Sequence, residues 1–131
     1  MKKYFPLALL LFSFSCIAQD AYLCITEGST GFYFNSNQKI WEQTKFKTDK
    51  NKNILKKIKN NWEWRDFGND WGEPCGSLNE YGYLNCKMIF GELRFNSKSL
   101  RFLTTYTVGY VDGSNANSNT PAISIGTCTP L

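Results

Sequence analysis

The sequence predicts an all-β protein, a small antiparallel barrel of about eight strands with a β-sandwich as the alternative, held by disulfides. Short segments in which apolar and polar residues alternate are separated by turns rich in Gly, Asn, Asp and Pro, at roughly 6–15-residue spacing. The chain has cysteines that can form disulfides. The two longest alternating segments are neighbours in the second half of the chain.

Residues 1–18 have the layout of a secretory signal peptide, and a cut before Gln19 is expected. The features are a basic start at Lys2 and Lys3, an apolar run from Phe5 to Ile17, and small residues in Cys16-Ile17-Ala18. Because the run is shorter than the roughly 20 residues of a membrane-spanning helix, cleavage is favoured over an uncleaved anchor. Lipidation at Cys16 is a further alternative, but the preceding residues lack the aliphatic start of a lipobox.

Cleavage leaves residues 19–131 as a single β domain with four cysteines, Cys24, Cys75, Cys86 and Cys128. An even number of cysteines in an exported chain indicates disulfides. Among the three possible pairings we favour Cys75–Cys86, closing a local loop, with Cys24–Cys128 tying the two ends together. The chain has no histidine and no C-x-x-C pair, which argues against a zinc site. No metal and no other cofactor are expected.

In the first half of the domain the predicted strands cover residues 21–26, 31–35, 39–47, 54–59 and 62–67. A bulge between Trp41 and Phe46, which have opposite parity, would turn both rings inward. Asn60-Asn61 is predicted to make a two-residue turn with positive φ, after which Trp62 and Trp64 alternate with charged residues. Residues 53–62 also fit one face of a helix, and the strand interpretation is preferred.

The second half is organised around a long predicted hairpin over residues 87–111, turned by Asn96-Ser97-Lys98-Ser99. One face of its first arm holds Ile89, Gly91, Leu93 and Phe95, and one face of its second arm holds Leu100, Phe102, Thr104, Tyr106, Val108 and Tyr110. Residues 68–80 and 112–120 are predicted loops. A last strand over residues 122–127 should point Ile123 and Ile125 inward and lie beside the first strand.

Several short sequence features are spread along the mature chain. They are a cysteine before GFYFN, then Trp41, the pair Cys75…Cys86, and the segments LRF, GYVDG and TPAISIGTC. Together they resemble a group of small exported proteins of bacteria and prophages, which implies export but brings no activity and no functional residues. The expected fold is also similar in size to the periplasmic inhibitors of lysozyme. None of their loop motifs is present, so that likeness concerns the fold alone.

Carboxylates are the candidates for catalysis, because a chain without histidine has no Ser-His or Cys-His pair. Asp66, Asp70 and Glu73 lie within eight residues, beside Trp64 and Trp71. Two carboxyl groups flanked by aromatic rings suit glycoside hydrolysis. The same tryptophans, with Asp66 and Asp70, would also suit sugar binding. The preferred interpretation is that the tryptophans fill the barrel mouth and the acids decorate a solvated loop.

The loop at residues 112–120 also offers side-chain oxygens, from Asp112, Ser114, Asn115, Asn117 and Asn119. Only one of these groups is a carboxylate, and calcium prefers more anionic ligands. A plain flexible loop is therefore predicted, without a metal.

A run of seven lysines is the second candidate site: Lys45, Lys47, Lys50, Lys52, Lys56, Lys57 and Lys59. Asp49 is the single acid among them, a local balance of +6, whereas removal of Lys2 and Lys3 leaves the mature chain at +2. One hairpin would then be strongly basic on an otherwise acidic molecule and would steer an anionic partner towards itself. The plainer alternative is an edge strand that lysines protect from aggregation.

These features favour an exported, non-enzymatic binding protein, monomeric and either periplasmic or secreted, or a phage-derived accessory. The expected partner is an anionic envelope component or an acidic protein surface. Nucleic acid is not expected, because the chain is exported and the lysine run contains no arginine. A small carboxylate-based cell-wall hydrolase and an inhibitor of a lytic enzyme are the alternatives.

Overall fold

The computed structural model describes residues 20–131, in which nine β-strands and no helix are found. The strands are β1 (Ala21–Asn35), β2 (Ile40–Lys45), β3 (Lys52–Ile58), β4 (Asn61–Asp66), β5 (Glu73–Cys75), β6 (Tyr83–Met88), β7 (Gly91–Asn96), β8 (Arg101–Tyr106) and β9 (Ala122–Pro130). The predicted signal peptide lies outside the described residues. Within them, no helix is long and apolar enough to cross a membrane.

Eight strands close into an antiparallel barrel, which confirms the predicted fold class. The pairing order is β1-β3-β4-β5-β6-β7-β8-β9, and β9 returns to β1, so the first and last strands are adjacent as expected. The remaining strand, β2, is not part of the barrel. It pairs with the second half of β1, while β3 pairs with the first half. Because β1 has 15 residues, its second half extends beyond the barrel. This half of β1 and β2 form what we call the projecting hairpin.

The connections fall at two opposite ends, because consecutive barrel strands alternate in direction. One end, here called the upper end, carries the projecting hairpin and the loops at 46–51, 67–72, 89–90 and 107–121. The other, lower end carries the connections at 59–60, 76–82 and 97–100, together with both ends of the described chain.

Aromatic and aliphatic side chains fill the barrel interior. Tyr22 contacts the rings of Trp62 and Phe95 at centroid distances of 5.6 and 5.1 Å, and Trp64 contacts Phe102 at 5.2 Å. Leu55, Leu84 and Leu93 are fully buried beside them. Inward and outward positions alternate along each strand, which is why the predicted alternation of the two β4 tryptophans with charged residues is confirmed.

Both predicted disulfides are confirmed. Cys24–Cys128 joins β1 to β9, where the barrel closes, and Cys75–Cys86 joins the short strand β5 to β6. All four cysteines are buried in the core. The two bonds therefore hold the sheet at its closing seam and at its shortest strand.

Three predictions for the first half are wrong. Residues 21–26 and 31–35 belong to one strand, because a bulge between Thr26 and Gly28 absorbs the intervening polar segment. No bulge turns Trp41 inward; it lies on β2 beyond the barrel wall, and Phe46 follows the end of that strand. The positive φ of the β3–β4 turn occurs at Lys59 (58°), because Asn61 already pairs with Ile58.

The predicted hairpin over residues 87–111 is wrong in its extent. Its core positions Leu93, Phe95 and Phe102 are buried as expected. A turn at Ile89-Phe90, however, separates β6 from β7, so the first arm is two strands. The second arm ends at Tyr106, which leaves Val108 and Tyr110 in the following loop. Residues 68–80, predicted as loop throughout, contain β5.

Ile123 and Ile125 point outward from β9, contrary to the prediction, with 50% and 54% of their surface exposed. The cause is the parity of the strand. Cys128 must face the interior to bond with Cys24, so Gly126 and the other even-numbered positions also face inward. The odd-numbered isoleucines are left on the outer face.

Candidate functional site

A polar cavity of about 530 Å³ opens at the upper end of the barrel. Trp64 and Asp66, two of the four predicted sugar-binding residues, line it together with Thr26, Asn53, Thr104 and Ser124. Trp71 and Asp70 are not among its lining residues and lie in the exposed loop at 67–72. The structure therefore brings together only half of the predicted sugar site.

The two residues in the cavity offer little for sugar binding or hydrolysis. Trp64 is 6% exposed and its ring packs on Phe102, so little of its face is available for stacking. Asp66 accepts a hydrogen bond from Asn53 Nδ2 at 2.9 Å and is the one carboxylate among the lining residues. Hydrolysis by paired carboxyl groups needs a second carboxylate in the same cavity.

The predicted basic hairpin is instead a stripe along the barrel wall. Lys45 ends β2, Lys47 and Lys50 lie in the following loop, Lys52, Lys56 and Lys57 lie on β3, and Lys59 lies in the β3–β4 turn. We call these seven residues the lysine stripe. Since β3 pairs with β1 on one side and β4 on the other, edge protection does not account for the lysines on that strand.

Most of the lysine stripe has no ionic partner. Lys57 is half-buried and its Nζ lies 3.7 Å from Asp20 Oδ1. In residues 20–131, the other six lysines are exposed and make no salt bridge. Their charge is therefore available to a partner, and Lys52 and Lys56 present it from the outward-facing positions of β3.

An apolar groove of about 1220 Å³ on the outer face of the barrel was not foreseen from the sequence. It lies between the projecting hairpin, the upper parts of β8 and β9, and the loop at 107–121. We call it the outer groove. Its apolar and aromatic lining consists of Phe32, Trp41, Tyr106, Tyr110, Val111, Pro121, Ala122 and Ile123, and its single charged residue is Lys45.

Asparagine side chains fix the loop at 107–121 against the projecting hairpin. Asn117 accepts a hydrogen bond from the Phe34 amide at 2.7 Å and donates one to the Phe34 carbonyl at 2.8 Å. Trp41 Nε1 donates to Asn115 Oδ1 at 3.0 Å. The expectation of a plain flexible loop was incomplete, because these side chains act as a substitute for strand pairing.

Asp112 secures the same loop from within. Its Oδ1 accepts a hydrogen bond from the Ser114 amide at 2.8 Å, and its Oδ2 accepts one from Asn119 Nδ2 at 3.4 Å. The Ser114 amide is the main reason why the pKa of Asp112 is lowered from its ordinary value. Among residues 20–131, no three Cys, Asp or Glu side chains lie close enough together to hold a metal ion.

Comparison with protein-family models, with curated proteins and with solved structures finds no match to this chain. The two disulfides fit an oxidising compartment outside the cytoplasm. The sequence did contain one signal for the outer groove. Assigning Cys128 to the interior would have placed Ile123 and Ile125 outside, on the face that Phe32 shares.

Proposed function

We propose that this is an exported, non-enzymatic binding protein, periplasmic or secreted, that recognises an anionic component of the bacterial envelope. The observation that carries the proposal is that six of the seven residues of the lysine stripe are exposed and make no salt bridge within residues 20–131. Such a surface attracts anions at long range and loses that attraction as salt screens it.

The placement of the lysines favours binding over a purely structural role. Lys52 and Lys56 face outward from a strand that is paired on both sides, so they are not needed to block edge-to-edge association. Six unpaired like charges within the 15 residues from Lys45 to Lys59 also repel one another. A partner of opposite charge relieves that repulsion.

The alternative of a carboxylate-based hydrolase has less support, because Asp66 is the one carboxylate that lines the upper cavity. Inhibition of a lytic enzyme would use the same lysines if the enzyme presented an acidic face. Carboxylate variants therefore test the hydrolase, and vesicle binding by lysine variants tests recognition of an anionic envelope component.

The test is co-sedimentation with vesicles of phosphatidylglycerol, with phosphatidylcholine vesicles for comparison. We expect binding to the anionic vesicles that weakens clearly between about 10 and 150 mM salt, since the Debye length falls from roughly 30 to 8 Å. The triple variant Lys47→Gln, Lys52→Gln and Lys56→Gln should reduce binding at least tenfold. Lys57 is left intact because it is paired with Asp20.

The matched control is Lys39→Gln, Lys87→Gln and Lys98→Gln, which removes the same charge from exposed lysines outside the stripe. If both triple variants lose binding equally, net charge and not the lysine stripe is responsible, and the proposal fails. A set with Asp66→Asn, Asp70→Asn and Glu73→Gln should bind normally. Loss of a peptidoglycan-degrading activity in that set would establish the hydrolase instead.

A further inference from the structure

We propose that the outer groove binds the chain of a single-chain anionic amphiphile, with its charged head group at Lys45. The proposal rests on the proposed function in taking the partner to be anionic. It adds an apolar site that recognition by the lysine stripe alone would not require, and it therefore narrows the partner to a lipid-like molecule.

The lining of the outer groove is apolar surface left in contact with water. Phe32, Val111 and Ile123 are 44%, 83% and 50% exposed, although each is large enough to gain substantially from burial. They come from three separate parts of the chain: β1, the loop at 107–121, and β9. A concave site with such a lining is typical of ligand pockets.

The charge at the outer groove favours a ligand with an anionic head group. Lys45 is the single charged residue among those that line the outer groove in the described chain, and no carboxylate accompanies it. Lys45 lies opposite Thr30 at the barrel end of β2, whereas Trp41 lies nearer the tip of the hairpin. A molecule with an anionic head at Lys45 and an apolar chain towards Trp41 and Val111 satisfies both ends of the site.

The walls of the outer groove are held in place before any ligand arrives. Trp41 is fixed by its hydrogen bond to Asn115 and by an edge-to-face contact with Tyr110, in which the ring centroids are 5.8 Å apart. On the other wall, the Phe32 amide donates to the Pro121 carbonyl at 3.0 Å. Gly31 permits this approach, because a Cβ there would lie 2.0 Å from the Pro121 oxygen. A preformed groove spares a ligand the entropy of ordering the loop.

Other ligand classes fit the lining less well. The outer groove also has five uncharged polar residues in its lining: Thr30, Gln43, Thr44, Thr105 and Thr107. A sugar would need polar partners along its whole ring, and the exposed aliphatic side chains of Val111 and Ile123 offer none. A cationic partner would meet Lys45 without a compensating acid. A flat bilayer would contact only the rim of a concave site, so we assign the groove to an individual amphiphile.

Calorimetric titration of the mature protein with dodecyl phosphate, below its critical micelle concentration, tests the proposal. We expect saturable 1:1 binding in the micromolar range. Inorganic phosphate, which has the head group alone, should bind at least 100-fold more weakly. Dodecyl maltoside, which has the chain with a neutral head, should bind about tenfold more weakly than dodecyl phosphate.

The double variant Val111→Asn, Ile123→Gln should reduce affinity for dodecyl phosphate at least tenfold, and Lys45→Gln should reduce it several-fold. The matched control is Ile125→Gln. Ile125 is exposed on the same face of β9 but does not line the outer groove, so its replacement should leave the affinity unchanged. Thermal melts of all four proteins establish that each variant is folded.

The failure of this proposal is distinguishable from failure of the proposed function. The lysine-stripe triple variant retains Lys45, so it should lose phosphatidylglycerol vesicles but keep dodecyl phosphate. Absence of saturable dodecyl phosphate binding, or binding that the double variant does not weaken, overturns the groove. If the double variant instead loses only the vesicles, the groove docks on a bilayer, and the assignment to an individual amphiphile is wrong.

Discussion

The barrel interior and the extension at its upper end are held together by different physical means. The interior combines buried rings and aliphatic side chains with two disulfides. The extension consists of the projecting hairpin and the loop at 107–121. It is joined by side-chain hydrogen bonds from Asn115 and Asn117 and by half-exposed aromatic contacts. One region is stabilised by exclusion of water, and the other remains in contact with it.

This difference separates stability from binding. Apolar side chains in the interior are already buried, so binding a partner would remove no further apolar surface of theirs from water. Those of the extension, such as Phe32 and Val111, are still exposed and gain from a partner. We therefore expect changes in the interior to lower the free energy of unfolding with little change in ligand specificity, and changes in the extension to do the reverse.

Removal of the Cys24–Cys128 disulfide should have the largest effect on stability. Its cysteines are 104 residues apart, against 11 for Cys75–Cys86. Chain entropy then predicts losses of about 4.7 and 2.8 kcal/mol. Denaturant unfolding of Cys24→Ala/Cys128→Ala and Cys75→Ala/Cys86→Ala measures both. A larger loss from the local bond would show that strain or packing, not loop closure, sets their contributions.

A substitution that creates a cavity in the interior should have the second-largest effect on stability. Leu55 is fully buried on β3, opposite Trp64 and Tyr22 in the sheet, so Leu55→Ala should cost about 2–5 kcal/mol. Ile125→Ala removes an aliphatic side chain from an exposed strand position and should change stability by no more than about 0.5 kcal/mol. Comparable losses from both variants would contradict the division between interior and outer face.

The same division explains what the sequence could predict. Alternation identified the inward positions of β4, β7 and β8, because burial on one face imposes a period of two. It misplaced Ile123 and Ile125, since apolar residues were assumed to face inward and the parity set by Cys128 was not applied. Single cysteine positions therefore carried more information about β9 than hydrophobicity did.

The extension was hidden from sequence reasoning for a different reason. Asn115 and Asn117 are common loop residues, and their contacts with Trp41 and Phe34 span 74 and 83 residues. No local pattern encodes such a pairing. The unbroken length of β1 was missed as well, because Glu27-Gly28-Ser29 resembles a turn and a bulge against β9 is a tertiary feature.

Loss of Asn117 should release the extension without unfolding the barrel. Asn117→Ala removes both hydrogen bonds to the Phe34 backbone, and we expect a loss of about 1–2 kcal/mol that is confined to the upper end. Hydrogen exchange at the Phe34 amide should accelerate while core amides stay protected. Asn85→Ala, at an exposed position on β6, is the control. Equal acceleration in the core would show that the extension is part of the global folding unit.

Acid should act on the extension through Asp112, with the smallest effect. Because the Ser114 amide lowers the pKa of Asp112, the ionised form is favoured in the folded loop. Its contribution is present above the ordinary value of 3.8 and is lost as the pH falls through the lowered pKa. The Ser114 amide shift, followed by NMR, should titrate with a midpoint below 3.8. Asp112→Asn keeps an acceptor oxygen and should abolish that titration. A midpoint at or above 3.8 would show that this hydrogen bond does not stabilise the loop.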